Sequence, residues 1–307
     1  MDSLKFTVFA DLHYKKGMYA STIEDLEEIF NRANEFGSSF LISLGDLCND
    51  YKGSPELVKA FIKNKYSLPV YNVYGNHELE SLGNTVGYVT PLLTNSKVNF
   101  DKNSGYYYFD ILSFRFICLD TNYSYNPNLK IWEHNKEASW GAPQGNINTN
   151  ALSPTQLKWF EDLINQSVKE NKNCIICSHA SIYFHNGRVY ECDKIKKIID
   201  SANAKKKNSV IMVLNGHYHV DDFAVENNVC YFDVNTVKNG FWKMEKNDHY
   251  FKGQTFKFTN YNGGKKVGEI NFNYVDLSQG KNTWFFDKPL SCNVEIKSDG
   301  SIEIFWE

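Results

Sequence analysis

Phe6-Thr7-Val8-Phe9-Ala10-Asp11-Leu12-His13 decides the fold. An apolar run of strand length stops abruptly at a carboxylate and an imidazole, and the arrangement returns downstream. Ser38 to Leu44 reads as a second strand, closed by Gly45-Asp46. Val70 to Tyr74 reads as a third, closed by Gly75-Asn76-His77-Glu78. Between the first two, Ile23, Leu26, Ile29, Phe30 and Ala33 form one apolar stripe, so a helix is expected from about Ser21 to Glu35. Between the second and third, Ser54-Pro55 opens another helix as N-cap and first-turn proline. Its inward face is Leu57, Val58, Phe61 and Ile62. This β-α-β-α-β order predicts parallel pairing with helices packed outside.

Further along, Tyr106 to Asp110 and Phe114 to Leu119 read as an antiparallel pair joined near Leu112-Ser113. Tyr123 to Asn150 shows no period and is rich in Asn, Trp and Tyr. It reads as a long functional loop or cap, because structureless stretches of that length are uncommon otherwise. Ser153-Pro154-Thr155-Gln156 has the form of a capping box, opening a helix to about Glu170. Cys174 to Cys177 is a strand, Asp193 to Ala202 a helix and Val210 to Leu214 a strand. The chain is mostly β from Cys230 onward. There Val294 and Ile296, then Ile302 and Ile304, flank Asp299-Gly300 as an alternating hairpin.

The whole of residues 1–307 is expected to be one domain, with the cap at about 123–150 and the β-rich portion at about 230–307. Lys plus Arg is 33 and Asp plus Glu is 36, a formal net charge of -3. That balance argues against a nucleic-acid or anionic-membrane binder. No apolar run reaches the ~18 residues of a membrane span. Met1-Asp2-Ser3-Leu4-Lys5 shows no charged segment followed by an apolar stretch, so a cytoplasmic protein is expected. Seven scattered cysteines are not a disulfide framework.

Five polar clusters follow apolar strands directly: the three above, then Ser178-His179 and Gly216-His217-Tyr218-His219. In an open α/β sheet, sites form beyond the carboxyl ends of strands, so these clusters should converge on one crevice. The inventory is Asp, Asn and His without Cys. It suits a divalent ion such as Mn, Zn or Fe(II). It is too rich for one ion, and two ions bridged by a shared carboxylate are expected.

The ordered set resembles the calcineurin-like metallophosphoesterases. Their pattern is D-x-H, G-D, G-N-H-[DE], a single H, then G-H-x-H. Here it reads Asp11-x-His13, Gly45-Asp46, Gly75-Asn76-His77-Glu78, His179 and Gly216-His217-x-His219. The resemblance implies an α/β fold, a four-layer α-β-β-α sandwich with two mixed sheets. It assigns Asp11, His13 and His219 to one metal, and Asn76, His179 and His217 to the other. Asp46 would bridge them, and His77 would act on the phosphoryl oxygen or leaving group. The implied activity is hydrolysis of a small phosphodiester, pyrophosphate or phosphomonoester, nucleotides included, with two divalent ions (Mn, Fe or Zn). A nuclease of the same superfamily and a silent phosphate-binding scaffold are the alternatives. The sequence departs from protein Ser/Thr phosphatases, whose second motif runs G-D-x-x-D-R-G. Asn49 stands at the acidic position, Asp50 one place later, and no Arg follows. Tyr51 is out of register for the iron-binding tyrosine of purple acid phosphatases.

Other residues carry weaker signals. Arg188, His185 and Trp140 are candidate substrate contacts. Tyr123, Tyr125, Trp132 and Trp140 could stack on a base, though a loop's own small core is the plainer reading. Asp120 could buttress the site or cap a turn. Cys174 and Cys177, three apart on a strand, should face opposite sides as core thiols. Lys205-Lys206-Lys207 reads as a solvated helix end.

Overall fold

The computed structural model describes residues 2–14, 21–48, 56–57, 59–60, 68–79, 99–100, 105–135, 148–183, 188–219, 222–238, 255–256, 270–273 and 288–306. Asn49, Asp50, Tyr51, Trp140 and His185 lie outside these residues. So do Ser54, Pro55, Val58, Phe61 and Ile62 of the second expected helix, whose Leu57 is helical and buried.

The chain opens with β1 (Leu4–Phe9), α1 (Ile23–Phe36), β2 (Leu41–Ser43) and β3 (Val70–Asn72). Next come β4 (Asn99–Phe100), β5 (Tyr107–Ile111), β6 (Phe114–Leu119), β7 (Tyr123–Asn126), β8 (Ile131–His134) and β9 (Asn148–Ala151). They are followed by α2 (Pro154–Lys169), β10 (Asn173–Ser178), α3 (Cys192–Lys205), β11 (Val210–Asn215), β12 (Asp222–Glu226) and β13 (Val229–Asp233). The last strands are β14 (Thr255–Phe256), β15 (Ile270–Asn273), β16 (Cys292–Ile296) and β17 (Ile302–Trp306).

Two mixed sheets result among the described residues. One runs β14-β15-β17-β16-β1-β2-β3 and the other β12-β13-β11-β10-β6-β5-β4. β1, β2 and β3 are parallel, as their order in the chain requires. So are β6, β10, β11 and β13. Rings fill the gap between the sheets: Phe6 stacks on Phe40 and meets Phe116 edge-on, and Tyr71 stacks on Phe109. α1 packs by β1 through Leu26, Ile29, Phe30 and Ala33. On the other side Phe160 and Ile164 of α2, with Ile195 and Ile199 of α3, cover Ile117, Ile176 and Val213. The four-layer α-β-β-α sandwich is therefore the fold. Strands buried on both faces explain why Cys174 to Cys177 in β10 and Val210 to Leu214 in β11 read as unbroken apolar runs. Cys174 belongs to the helix-side core and Cys177 to the inter-sheet core, on opposite faces as expected. All seven cysteines are buried and none is in a disulfide. No described helix is long and apolar enough to cross a membrane.

Two expectations need correction. The stretch from Tyr123 to Asn150 is not without regular structure: β7, β8 and β9 form a separate small sheet in the order β8-β7-β9. Asn126 turns the chain between β7 and β8, its Oδ1 accepting from the amides of Asn128 and Leu129. Second, only half of the capping box forms. Ser153 Oγ accepts from the Gln156 amide, but the Gln156 side chain does not reach back. It pairs instead with both main-chain groups of Asp120, at 2.8 Å each. This fixes the end of β6 to the start of α2, next to the site.

Candidate metal centre

Each motif residue sits just past a strand end, and the backbone there is unusual. Asp11 (φ +52°), His13 (+46°), Asp46 (+54°), His217 (+76°) and His219 (+54°) all occupy the left-handed region. For residues other than glycine this costs on the order of 1–3 kcal/mol each, and it persists only where the surroundings impose it. Here the main chain imposes it. The amides of Asp11, His13 and Tyr14 donate to the carbonyls of Gly45, Asp46 and Leu47, so the loops after β1 and β2 stay paired. Thr236 Oγ1 donates to the Asp11 carbonyl at 2.7 Å, tying in the segment after β13. Gly45, at φ +103°, must be glycine: a Cβ would lie 2.6 Å from the Gly75 amide nitrogen.

The side chains meet in two groups. In the first, Asp11 Oδ1 lies 3.2 Å from His219 Nε2 and 3.6 Å from His13 Nε2, and those two ring nitrogens are 2.9 Å apart. In the second, His179 Nε2 is surrounded by Asn76 Oδ1 at 3.0 Å, His217 Nδ1 at 3.1 Å and Asp46 Oδ2 at 3.2 Å. Asp46 Oδ2 is also 3.8 Å from His13 Nε2, so it lies between the groups. All seven expected ligands are thus brought together. Asp11, His13 and His219 could hold one ion, and Asp46, His179 and His217 another. His77 is next to them, its Nε2 3.9 Å from Asp46 Oδ2 and its ring edge-on to His13.

The donor set demands positive charge. His179 Nδ1 donates to the Leu44 carbonyl at 2.7 Å, which makes Nε2 the inward lone pair whenever the ring is neutral. It then faces an amide oxygen and a carboxylate oxygen, an arrangement that repels unless a cation or a proton lies among them. The electrostatics say the same. Burial alone would lower His179, but the Asp46 carboxylate outweighs it and pushes the ring up to about 10. Asp11 is held well below the usual carboxylate range, its burial overcome by His219 and His13. Asp46 is lowered too, burial being overcome by His179 and His77. Both carboxylates stay ionised in a dry site. The fit to divalent cations is good.

Residues with no assigned role hold this arrangement. Glu78 is buried and accepts three main-chain amides, Gly75 at 2.6 Å, Leu47 at 2.8 Å and Asp46 at 2.9 Å. It clamps the loops after β2 and β3 together, and its carboxyl is raised by burial and by Asp46. Asp46 Oδ1 in turn accepts the His77 amide at 2.8 Å. Asn122 donates from Nδ2 to the carbonyls of Tyr74 and Gly75 and to Asp120 Oδ1. Asp120 therefore does buttress the site, and its other oxygen holds His134 Nε2 of β8 at 3.0 Å. Glu78 does carry a visible signal, the acidic position that closes the Gly75-Asn76-His77-Glu78 motif. Nothing local marks Asn122 or His134. Arg188 is exposed and turns to the Tyr183 carbonyl and Asp193.

A family model described as calcineurin-like phosphoesterase matches residues 4–221. The manganese-dependent ADP-ribose/CDP-alcohol diphosphatases of Bos taurus and Homo sapiens are 26% identical over 183 residues and 27% over 180. Each alignment covers 47% of this chain, which spans about half, 52%, of those relatives. A dimetal phosphatase from Danio rerio has a similar fold, with a TM-score of 0.58 at 15% identity. That match covers 76% of this chain and 87% of the other. GAP50, the anchor in the inner membrane complex of Plasmodium, gives 0.52 at 13% identity, covering 100% and 84%.

Proposed function

Because the chain belongs to the calcineurin-like phosphoesterase family, we propose that it is a single-domain hydrolase using two divalent cations on a small phosphodiester, pyrophosphate or phosphomonoester. The observation that carries this is the ring of acceptors around His179 Nε2, continued through Asp46 Oδ2 to the Asp11–His13–His219 group. Asp11, His13 and His219 would hold one cation, Asn76, His179 and His217 the other, and Asp46 both. When bound, the cations would neutralise charge on the phosphoryl oxygens and bring a water close to its ionised form at neutral pH.

The chain's own residues do the rest. Asp11 and Asp46 offset only two of four positive charges, which leaves the site attractive to an anionic ester. Glu78 and the left-handed backbone fix the donors before substrate arrives, so little reorganisation is needed. The Leu44 carbonyl sets the His179 tautomer that leaves Nε2 free to ligate. His77 is oriented by its own amide on Asp46 Oδ1 and would hand a proton to the leaving oxygen. Manganese is the first ion to try, since the diphosphatases of Bos taurus and Homo sapiens are manganese-dependent. The buried, unlinked cysteines suit a reducing compartment such as the cytoplasm.

Elemental analysis of protein purified without chelator should approach two transition-metal equivalents per chain. The same preparation should hydrolyse bis-p-nitrophenyl phosphate, and lose that activity to a chelator. Two bound equivalents without hydrolysis of any phosphoester in a broad panel would leave a phosphate-binding scaffold instead.

A further inference from the structure

We propose that Tyr190, stacked on Tyr125 beside Trp132, seats the base of a nucleotide-type substrate, and so makes the enzyme selective for phosphoesters and diphosphates that carry a nucleobase. The proposal rests on the phosphoesterase reading and names its substrate class.

Tyr125 packs against both of the other rings. Tyr125 lies 4.6 Å from Tyr190 at 29° and 4.4 Å from Trp132 at 32°, centroid to centroid. Such offset geometries are the favourable ones for π-systems. Two of the rings support each other across paired strands, since Tyr125 is directly opposite Trp132. The third is open to water: Tyr190 is 43% exposed, much of a large aromatic side chain left to solvent. The stack is also held stiffly. Glu191, 2% exposed, accepts the Trp132 indole N–H at 2.9 Å and the Leu152 amide at 2.8 Å. A buried carboxylate is thus spent on fixing Trp132 and the chain next to Tyr190.

Its position relative to the metal centre is equally specific. The Tyr190 amide donates to the Asn150 carbonyl at 2.8 Å. The neighbouring Val189 amide donates to the Ser181 carbonyl at 2.9 Å, and Ser181 stands two residues past His179. Tyr190 is therefore tied directly to the segment that leaves the cation cluster. Aromatic faces accept any base, because every base has a π-face, so the seat would favour nucleotides as a class rather than one base.

Calorimetric titration of the manganese-loaded protein with adenosine monophosphate and with ribose 5-phosphate isolates the base, because the sugar phosphate is shared. The wild-type protein should bind the nucleotide more tightly, by roughly ten- to a hundredfold as one stacked base implies. Tyr190→Ala should bring the nucleotide down to the affinity of ribose 5-phosphate, and Tyr190→Phe should keep the advantage. Equal wild-type affinities, or an advantage that survives Tyr190→Ala, would overturn the proposal. So would equal loss of both ligands in Tyr190→Ala, which would make the ring merely structural. If the wild type retains no cations and binds neither ligand, the phosphoesterase reading itself fails, and the base seat with it.

Discussion

The cation cluster and the small sheet beside it are built by opposite means. In the cluster, the main chain does the placing. Five ligand candidates sit at left-handed φ, and loops from both sheets bind each other through amides and carbonyls. In the small sheet, side chains do it. Tyr123 faces His134 and Tyr125 faces Trp132 across the strands, and the sheet is tied in through the side chains of Asp120 and Glu191. A backbone-built site tolerates few changes, because a single substitution shifts several donors. A side-chain-built surface can change its preference one residue at a time. In the proposed reading, chemistry belongs to the first region and selectivity to the second.

The sharpest way to break this division is Asp46→Ala. It removes the carboxylate shared by both groups, so both cations should leave. The affinity loss should exceed the roughly 10–100-fold that outer partners of a metal site usually carry. Metal analysis showing full occupancy in this variant would dissolve the two-group arrangement. His77→Ala should do the reverse, keeping both cations while kcat falls about 10²–10⁴-fold. An alkoxide leaving group needs a proton and p-nitrophenolate hardly does. The variant should therefore be impaired more on alkyl than on nitrophenyl esters. Equal impairment would make the ring a charge stabiliser instead. Glu78→Gln tests whether the clamp matters. An amide cannot accept three N–H groups as a carboxylate does, so cation affinity should weaken about 10–100-fold, measured by metal titration.

The smallest effect is expected in the small sheet. Burial would lower His134, but its hydrogen bond to the Asp120 carboxylate wins and holds the ring above its usual 6.5. A raised value means stability fully present below pH 6.5 and lost as pH climbs through the folded value. His134 is about two-fifths exposed, so the contribution should be only about 0.2–1 kcal/mol. Melting temperatures should then fall by no more than a few degrees between pH 6 and 9 in excess of His134→Phe. An identical pH dependence in the two proteins would remove His134 from the account.

The same division explains what the sequence made legible. Phe6 to Ala10 and Val210 to Leu214 are runs that only a doubly buried strand explains, and each ends in the residues that form the cluster. Strand, turn and ligand are contiguous, so order and chemistry could be read together. The small sheet could not be read this way. In Tyr123-Ser124-Tyr125-Asn126 the alternation is aromatic against polar, and the strands are short. Its partner strand β9 lies beyond a long connection. Gln156 shows a second limit. Its spacing from Ser153 fits a capping box, but tertiary contact with Asp120 offered its amide two better partners. Asn122 and His134 act across 47 and 14 residues of sequence, distances at which no local pattern speaks.

The placing of β1 bears on how the protein comes into being. β1 carries the chain to Asp11 and His13, yet one of its two neighbours is β16, with Leu4 opposite Ile296. On a ribosome β1 emerges well ahead of β16, and that edge stays open until the chain has been made as far as Ile296. Such distant pairings slow folding, because the loop they close is long. An apolar strand waiting with one edge open is also a place where chains can associate wrongly. The cation cluster, although its residues begin at position 11, is therefore fully braced only once β16 has been made. Metal capture would then report on chains extended past β16.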